Sequence, residues 1–401
     1  MFPLIFDGLR TPFGRHAGAL ARVRPDDLAA GLIADLVRRT ALPAEEIEDV
    51  ILGCTNQAGE DARNVARHAG LLAGLPEAAG GLTLNRLCGS GMAAVADAAR
   101  AVRCGEGALF VAGGVESMSR APFVTAKATS AFSREVTVFD STIGARFSNP
   151  RIDAGFGTDS MPQTADNIAA DLGIGREESD LFALRSQEKY EAARAAGFFD
   201  GEIAPVAVPQ GRGKSPLVVA ADEHPRPQTT AQSLEKLAPL FAGGVVTAGN
   251  ASGINDGATA LLVGSATLAE RFGVAPRGGI LASAVAGVAP RVMGLGPVPA
   301  ARKALDRAGL TLDQMDVIEI NEAFATQLLG CLRGLGLSAD DPRVNPNGGA
   351  IAIGHPLGAS GGRIVLTALR QLERTGGRHA LVSMCIGVGQ GIAMVIERAG
   401  A

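Results

Sequence analysis

The chain has 401 residues, of which 47% are hydrophobic and 19% charged, and a formal net charge of −4. That length predicts two or three domains, and that apolar share excludes wholesale disorder. The slight acidity and the 4% aromatic content, with one Tyr and no Trp, exclude bulk attraction to phosphate backbones and an aromatic platform for bases or sugars.

Along the first 120 residues, strand-like and helix-like text alternates. LIFDGL (4–9) reads as a short apolar strand, DDLAAGLIADLVRRT (26–40) as a helix with a basic end, and DVILGC (49–54) as a buried strand. A helix is predicted over Ala62–Leu72. GLTLNRLCGSGMAAVADAARAVRCG (81–105) then reads as strand, Gly-rich turn and helix, and ALFVAGG (108–114) as another buried strand. Such alternation predicts an α/β domain around a parallel or mixed sheet. Residues 121–245 are irregular, with one helix expected at about 162–196 and prolines at 205, 209, 216, 225 and 227, which predicts an inserted loop-rich region. GNASGINDGATALLVGS (249–265) is a Gly/Asn-rich turn entering a buried helix or strand.

The last third repeats the opening. DVIEIN (316–321) echoes DVILGC, LGASGGRIVLTALR (357–370) echoes LCGSGMAAVADAAR (87–100), and ALVSMCIG (380–387) echoes ALFVAGG, at offsets of 267 to 272 residues. Three echoes in the same order predict a duplicated fold whose two halves pack together.

The repeat also organises the candidate chemistry. Cys88 lies in the Gly-rich turn before a helix, where the helix dipole and free N–H groups favour a thiolate and could hold an oxyanion. The ordinary alternative is a small buried hydrophobe. His355, one of five histidines, sits on a Gly-His-Pro turn after what reads as an apolar strand. It is either a base for Cys88, which the repeat would place opposite it, or a capping residue. Cys385 follows a buried strand in SMCIGVGQG (383–391), a setting for an acid–base thiol or a redox pair. Asn321 reads first as a helix N-cap and Glu322 as a first-turn acid. Cys54, Cys104 and Cys331 read as structural, and His16, His68, His224 and His379 as surface or loop residues.

Neither His-x-x-x-His nor Cys-x-x-Cys occurs, so no metal site is expected. The odd cysteine count disfavours a disulfide scaffold, and no apolar run of about 18 residues or secretory leader is seen. The expectation is a cytoplasmic protein without nucleic-acid or membrane partners.

Taken together, RTPFGRHAGAL (10–20), NRLCGSGM (85–92), GGVESMSRAP (113–122), VTAGNASGINDGA (246–258), NEAFA (321–325), NPNGGAIAIGHPLGASGGR (345–363) and CIGVGQG (385–391) resemble the thiolase family nearly end to end. The resemblance implies two βαβαβαββ halves in a layered αβαβα core with an inserted loop domain. Its boundaries would be 1–120 plus 246–272 for the N-terminal half, 121–245 for the CoA-binding loop domain and 273–401 for the C-terminal half. It implies a homotetramer built from dimers, coenzyme A as a substrate, and no tightly bound cofactor. Residue by residue, it makes Cys88 the acyl-accepting nucleophile, His355 its base and Cys385 the acid–base thiol. Asn321 would hold a water beside His355 as an oxyanion hole, and the N–H groups of Cys88 and Gly387 would form a second. CoA contacts would come from Arg226, Ser233, Phe241, Ala248, Ser252, Met161, Met293, Ala323 and Phe324. Ser160-Met161 departs from the His-Met pair of short-chain biosynthetic members.

Within the family, CTNQAGEDARNVARHAGLLAGLP (54–76), STIGARFSNP (141–150) and DSMPQTADN (159–167) are similar to enzymes that cleave 3-oxoadipyl-CoA to succinyl-CoA and acetyl-CoA in aromatic-acid catabolism. General acetyl-CoA acetyltransferases and fatty-acid 3-ketoacyl-CoA thiolases share the reacting-centre motifs. A substrate with a distal carboxylate wants a cation, and Arg146, with Arg151 behind it, is the candidate.

Overall fold

The computed structural model describes residues 1–400; Ala401, the last residue of the expected C-terminal half, lies outside them. The chain opens with β1 (Pro3–Arg10), α1 (Pro25–Arg39), β2 (Ile47–Gly53), α2 (Val65–Leu72), β3 (Leu82–Leu84), α3 (Ser90–Cys104) and β4 (Leu109–Ser117). After a long excursion that contains α4 (Met161–Leu172) and α5 (Arg176–Ala195), β5 (Asn255–Ser265) closes the first half. The second half is β6 (Gly278–Gly287), α6 (Pro297–Ala308), β7 (Val317–Ile320), α7 (Ala325–Leu335), α8 (Leu357–Thr375), β8 (His379–Ile386) and β9 (Gln390–Arg398).

These strands form one sheet in the order β7-β8-β9-β6-β1-β5-β4-β2-β3. Outward from the middle, β1-β5-β4-β2 of the first half matches β6-β9-β8-β7 of the second, with β3 an added edge strand, so the predicted duplication is visible in the strand order. Within the sheet, the halves join where Leu4 and Ile5 of β1 pair with Gly279 and Gly278 of β6. β2 pairs parallel with β3 and β4, and β7 parallel with β8, while the remaining ladders are antiparallel.

Alternation along the strands sorts the core into layers. Phe6, Leu9, Leu109, Ala260 and Leu262 face α1 and α2. Ile5, Phe110, Leu261 and Val263 face inward and share one core with α3, α8 and residues of β8 and β9. Leu381, Val395, Ile318 and Ile320 face outward toward α6 and α7. Helices α3 and α8 are therefore sandwiched between the two half-sheets. They cross at glycines: a Cβ on Gly361 would stand 2.2 Å from the Met92 nitrogen, and one on Gly91 2.5 Å from the Gly358 oxygen.

The expected single helix at 162–196 is two. Gly173 takes a left-handed conformation (φ 64°) that ends α4, and Gly175 caps α5, a stop that glycine accommodates without strain. The helix expected from Ala62 starts at Val65 because Asn64 caps it, accepting the Arg67 N–H. Residues 249–265 resolve as turn and strand. No helix among the described residues is long and apolar enough to cross a membrane.

Buried ion pairs fasten the excursion to the core. Arg10, at the end of β1, donates from Nε to Glu202 at 2.6 Å and from Nη1 and Nη2 to Asp222 at 2.6 and 2.9 Å. Asp222 also accepts the Phe13 N–H and the Tyr190 hydroxyl. Glu223 accepts N–H groups from Arg15 and Ala19. A bidentate pair at full burial is strong only when its remaining lone pairs are used, and on Asp222 the Phe13 N–H and the Tyr190 hydroxyl take up what the guanidinium leaves.

Candidate active site

The site forms where the N-termini of α3 and α8 meet the C-terminal ends of β7 and β8. Cys88 immediately precedes Gly89, the N-cap of α3. Its turn is held by Ser90, whose hydroxyl accepts the Arg86 N–H at 2.8 Å and donates to the Leu87 carbonyl at 2.6 Å. Leu87 is forced to a left-handed φ of 47°, an uncommon state for a branched side chain that functional turns tolerate. The facing turn after β8 holds Val388 at φ 65°. Between these two strained residues, the N–H groups of Gly387 and of Cys88 itself act on the Cys88 sulfur.

Burial nevertheless outweighs those donors and pushes the Cys88 thiol up to about 11. The expected resting thiolate is thus corrected to a thiol: the desolvation of a buried charge exceeds what two N–H groups return. Cys385 lies within β8, one residue before its end, instead of following the strand; it is buried and its thiol is pushed well up by burial, then by the neighbouring Cys88. It packs with Ala165, Val246, Met293, Ala323 and Phe324.

His355 is buried. Its backbone N–H donates to Asn255 at 2.9 Å, and Nδ1 lies 2.7 Å from the Ser360 hydroxyl. Nε2 has no hydrogen-bond partner. Burial, helped by Arg363, lowers its basicity to about 3, so the ring is a neutral imidazole. The segment before it is a short helix, Ala350–Ile353, instead of the expected strand. Glu322 sets that helix in place by accepting the Ile351 N–H at 3.1 Å, the Ser186 hydroxyl at 2.6 Å and an Asn345 amide N–H at 2.8 Å.

Asn321 is fully buried, and neither Oδ1 nor Nδ2 has a partner. The N-cap reading fails, because α7 begins at Ala325 with Phe324 in the cap position. Glu322 is likewise outside the first turn of α7. Orphaned amide atoms in a core are costly, and here they lie beside the strand end whose next neighbour carries Cys385: the Asn321 N–H donates to the Ser383 carbonyl at 3.0 Å.

The residues implied as CoA contacts divide into two groups. Met161, Met293, Ala323, Phe324 and Ser252 gather around the cysteines. The Met161 sulfur lies 3.7 Å from where a Gly387 Cβ would be, and the Ser252 N–H donates to the Ala323 carbonyl at 2.9 Å. Ala248, Phe241, Ser233 and Arg226 form an exposed outer set. The Arg226 guanidinium has no ion-pair partner among the described residues. The Ser233 hydroxyl is engaged in a capping box with Thr230. Arg151 is exposed and Arg146 half-buried; Arg146 donates only to the Gly144 carbonyl at 3.2 Å.

Two features escaped the sequence. Glu116, in GGVESMSRAP, accepts N–H groups from Thr55, Asn56 and, across the repeat, Gly358 at 2.9 Å. Cys54, Asp61 and Glu116 also converge within 4.8 Å in the core, although residues so far apart in the chain have no ligand spacing. The Cys54 thiol, pushed well up by burial, donates to the Asn56 carbonyl at 3.1 Å, which makes the cluster a hydrogen-bonded knot.

Models of the thiolase N-terminal domain and thiolase C-terminal domain match residues 4–267 and 274–398. The chain belongs to the thiolase family. It is 60% identical over 396 residues to the beta-ketoadipyl-CoA thiolase of Escherichia coli, covering 98% of both chains. It is equally identical, at the same coverage, to the 3-oxoadipyl-CoA/3-oxo-5,6-dehydrosuberyl-CoA thiolase of E. coli K12. Among solved structures, human mitochondrial 3-ketoacyl-CoA thiolase in complex with CoA superposes with a TM-score of 0.92 at 39% identity, covering 99% of this chain and 98% of that one. This thiolase is accordingly an acyltransferase, and its fold is the layered duplicate that the resemblance implied.

Proposed function

We propose that this thiolase cleaves 3-oxoadipyl-CoA with CoA, giving succinyl-CoA and acetyl-CoA through an acyl-Cys88 intermediate. The observation that carries the reading is 60% identity over nearly the whole length to enzymes named for that substrate. The chemistry follows from the protonation states. Cys88 is a thiol and His355 a free base, so the proton passes to His355 Nε2 as sulfur attacks the 3-oxo carbon. The N–H groups of Cys88 and Gly387 receive the developing oxyanion. Cleavage of the C2–C3 bond releases the acetyl-CoA enolate. Asn321, whose amide atoms are unpartnered, holds a water that with His355 supports the enolate oxygen, and Cys385 delivers a proton to C2. A thiol held protonated by burial is in the right state for that task. The Cys385 thiolate then takes the proton of incoming CoA. The CoA sulfur attacks the acyl carbonyl, and Cys88 leaves and regains its proton from His355. Two half-reactions through one covalent intermediate give ping-pong kinetics.

Arg226, Ser233, Phe241, Ala248 and Ser252 are assigned to CoA, with residues 121–245 as the loop domain that presents the first three. Arg226 has a free guanidinium suited to phosphate. Residues 1–120 with 246–272, and 273–401, are the two halves. We also assign a homotetramer: Phe123, Phe132, Val136 and Val138 are more than half exposed, an apolar surface a subunit contact would cover. The five unpaired cysteines suit a reducing compartment, the cytoplasm.

The test is CoA-dependent thiolysis of 3-oxoadipyl-CoA, acetoacetyl-CoA and a medium-chain 3-oxoacyl-CoA, compared as kcat/KM. Preference for the first is expected. Preference for an uncharged substrate would discard the 3-oxoadipyl assignment and leave the thiolase chemistry standing.

A further inference from the structure

Helix α8 is buried on nearly all sides, yet one of its faces is polar. Ser360, Arg363, Thr367 and Arg370 recur at steps of three and four residues and so share a face. The first three are fully buried. At the start of the stripe, the Ser360 hydroxyl meets His355 Nδ1 at 2.7 Å. One turn further, the Arg363 guanidinium has a single ionic neighbour, Glu319 of β7, with Nη1 and Oε2 3.7 Å apart. That is too long for a hydrogen bond. Nε, Nη1 and Nη2 of Arg363, both oxygens of Glu319 and Oγ1 of Thr367 all lack a hydrogen-bond partner.

A buried guanidinium with none of its donors used destabilises the fold compared with an apolar residue of similar size. Its position gives it a different use. We propose that Ser360 and Arg363 are positioning residues for His355. Ser360 accepts the Nδ1–H and so leaves the Nε2 lone pair free for the Cys88 proton, while the Arg363 guanidinium, one turn along the same buried face, sets a positive charge against a second proton on the ring. The inference rests on the reading of His355 as the base for Cys88.

Two physical steps support it. A neutral imidazole is a base at one nitrogen only, and the hydrogen bond at the other decides which. Nε2 is buried without a partner, so a proton resident there would be an orphaned donor; on Nδ1 it has the Ser360 oxygen. Among the described residues, Arg363 is the charged group that adds to burial in lowering the basicity of His355. Arg363 itself is faced by Glu319 from β7, Glu322 from the loop after β7, and Arg10 and Glu202 from the seam with the excursion. Its charge therefore opposes imidazolium formation; burial pushes the Glu319 carboxyl up to about 8, so Glu319 offsets that charge only above that pH.

The first measurement is 15N NMR of histidine-labelled protein, with His355 assigned by its loss in His355→Asn. A neutral ring protonated at Nδ1 is expected, passing to a mixture of tautomers in Ser360→Ala with acylation of Cys88 slowed by about 10- to 100-fold. A wild-type ring protonated at Nε2 would overturn the Ser360 role. The second is the pH dependence of Cys88 acylation by acetoacetyl-CoA. Removing the cation raises the basicity of His355, so Arg363→Met moves the acid limb to higher pH, and Arg363→Lys keeps it where the wild type has it. Should Arg363→Met not fold, the pair replacement Arg363→Met/Glu319→Met removes the cation together with its carboxyl neighbour, and the same upward shift is expected. An unmoved limb in the folded variant, with His355→Asn inactive, overturns this inference alone. Full acylation in His355→Asn would instead overturn the base assignment beneath it.

Discussion

The Glu116 carboxylate, near the end of β4, accepts the backbone N–H of Gly358 at the start of α8 across 2.9 Å, so one side chain from the first half holds the helix of the second half that follows His355. The same carboxylate accepts the Thr55 and Asn56 N–H groups at 3.0 and 3.1 Å. Burial still dominates and pushes Glu116 up to about 7. A folded-state value raised above the unfolded one means the folded chain keeps a proton that the unfolded chain loses. Stability from this group is therefore full below the unfolded value near 4.5 and declines as pH rises toward 7. Glu116→Gln has no such proton. The stability of wild type relative to Glu116→Gln should fall by on the order of 2 kcal/mol between pH 5 and pH 8, measured by urea unfolding at the two values. A difference that does not change with pH would show that Glu116 is ionised throughout.

The crossing of α3 and α8 predicts opposite outcomes for two glycine-to-alanine changes in helices. At Gly361 the new Cβ would lie 2.2 Å from the Met92 backbone nitrogen. The helices must separate, at a cost of about 1–3 kcal/mol, and the turn carrying Cys88 moves relative to His355. At Gly31, in α1, nothing lies within 4 Å of the new Cβ. There the gain in helix propensity should stabilise by about 0.5–1 kcal/mol. Thermal melts should show Gly361→Ala falling and Gly31→Ala rising, with thiolysis reduced only in the first. A neutral Gly361→Ala would mean that the helix contact is looser than the geometry states.

The duplication was legible because the halves bury the same faces, so DVILGC and DVIEIN had to carry the same apolar text. The Cys88 turn was legible from the density of small residues that close helix contact requires. What could not be read was the result of competition between burial and local donors. A helix N-terminus argues for a thiolate at Cys88, and only the packed surroundings reveal that desolvation wins. Asn321 looked like a cap because local chemistry was the only chemistry in view; its orphaned amide becomes meaningful once Cys385 is placed on the neighbouring strand. Glu116 carried no local signal, because its partners at 55, 56 and 358 meet only in three dimensions.

The two cysteines should separate on mutation. Cys88→Ser loses both half-reactions, since a serine hydroxyl in the same turn is a far weaker nucleophile than the thiol. No acyl-enzyme should be found by intact-protein mass spectrometry after incubation with acetoacetyl-CoA. Cys385→Ser keeps the nucleophile and its base, so Cys88 is still acylated slowly. Exchange of the acetyl-CoA α-proton with deuterated solvent should drop by about 100-fold or more, as expected when a positioned acid–base group is lost. Exchange at the wild-type rate in Cys385→Ser would remove Cys385 from the acid–base role.

The distal carboxylate of 3-oxoadipyl-CoA requires a counter-charge that an uncharged 3-oxoacyl chain does not. Arg146 is the candidate on this chain because it stands in the STIGARFSNP stretch, is only half-buried, and donates only to the Gly144 carbonyl at 3.2 Å. It forms no ion pair among the described residues, so its charge is uncommitted. A charge-assisted hydrogen bond contributes about 1.5–3 kcal/mol, which corresponds to roughly 10- to 100-fold in affinity. Arg146→Ala should therefore raise KM for 3-oxoadipyl-CoA by about tenfold or more, with kcat little changed and both constants for acetoacetyl-CoA preserved. Uniform weakening of both substrates would mean that Arg146 supports the loop or the CoA moiety, and Arg151 would become the residue to substitute next.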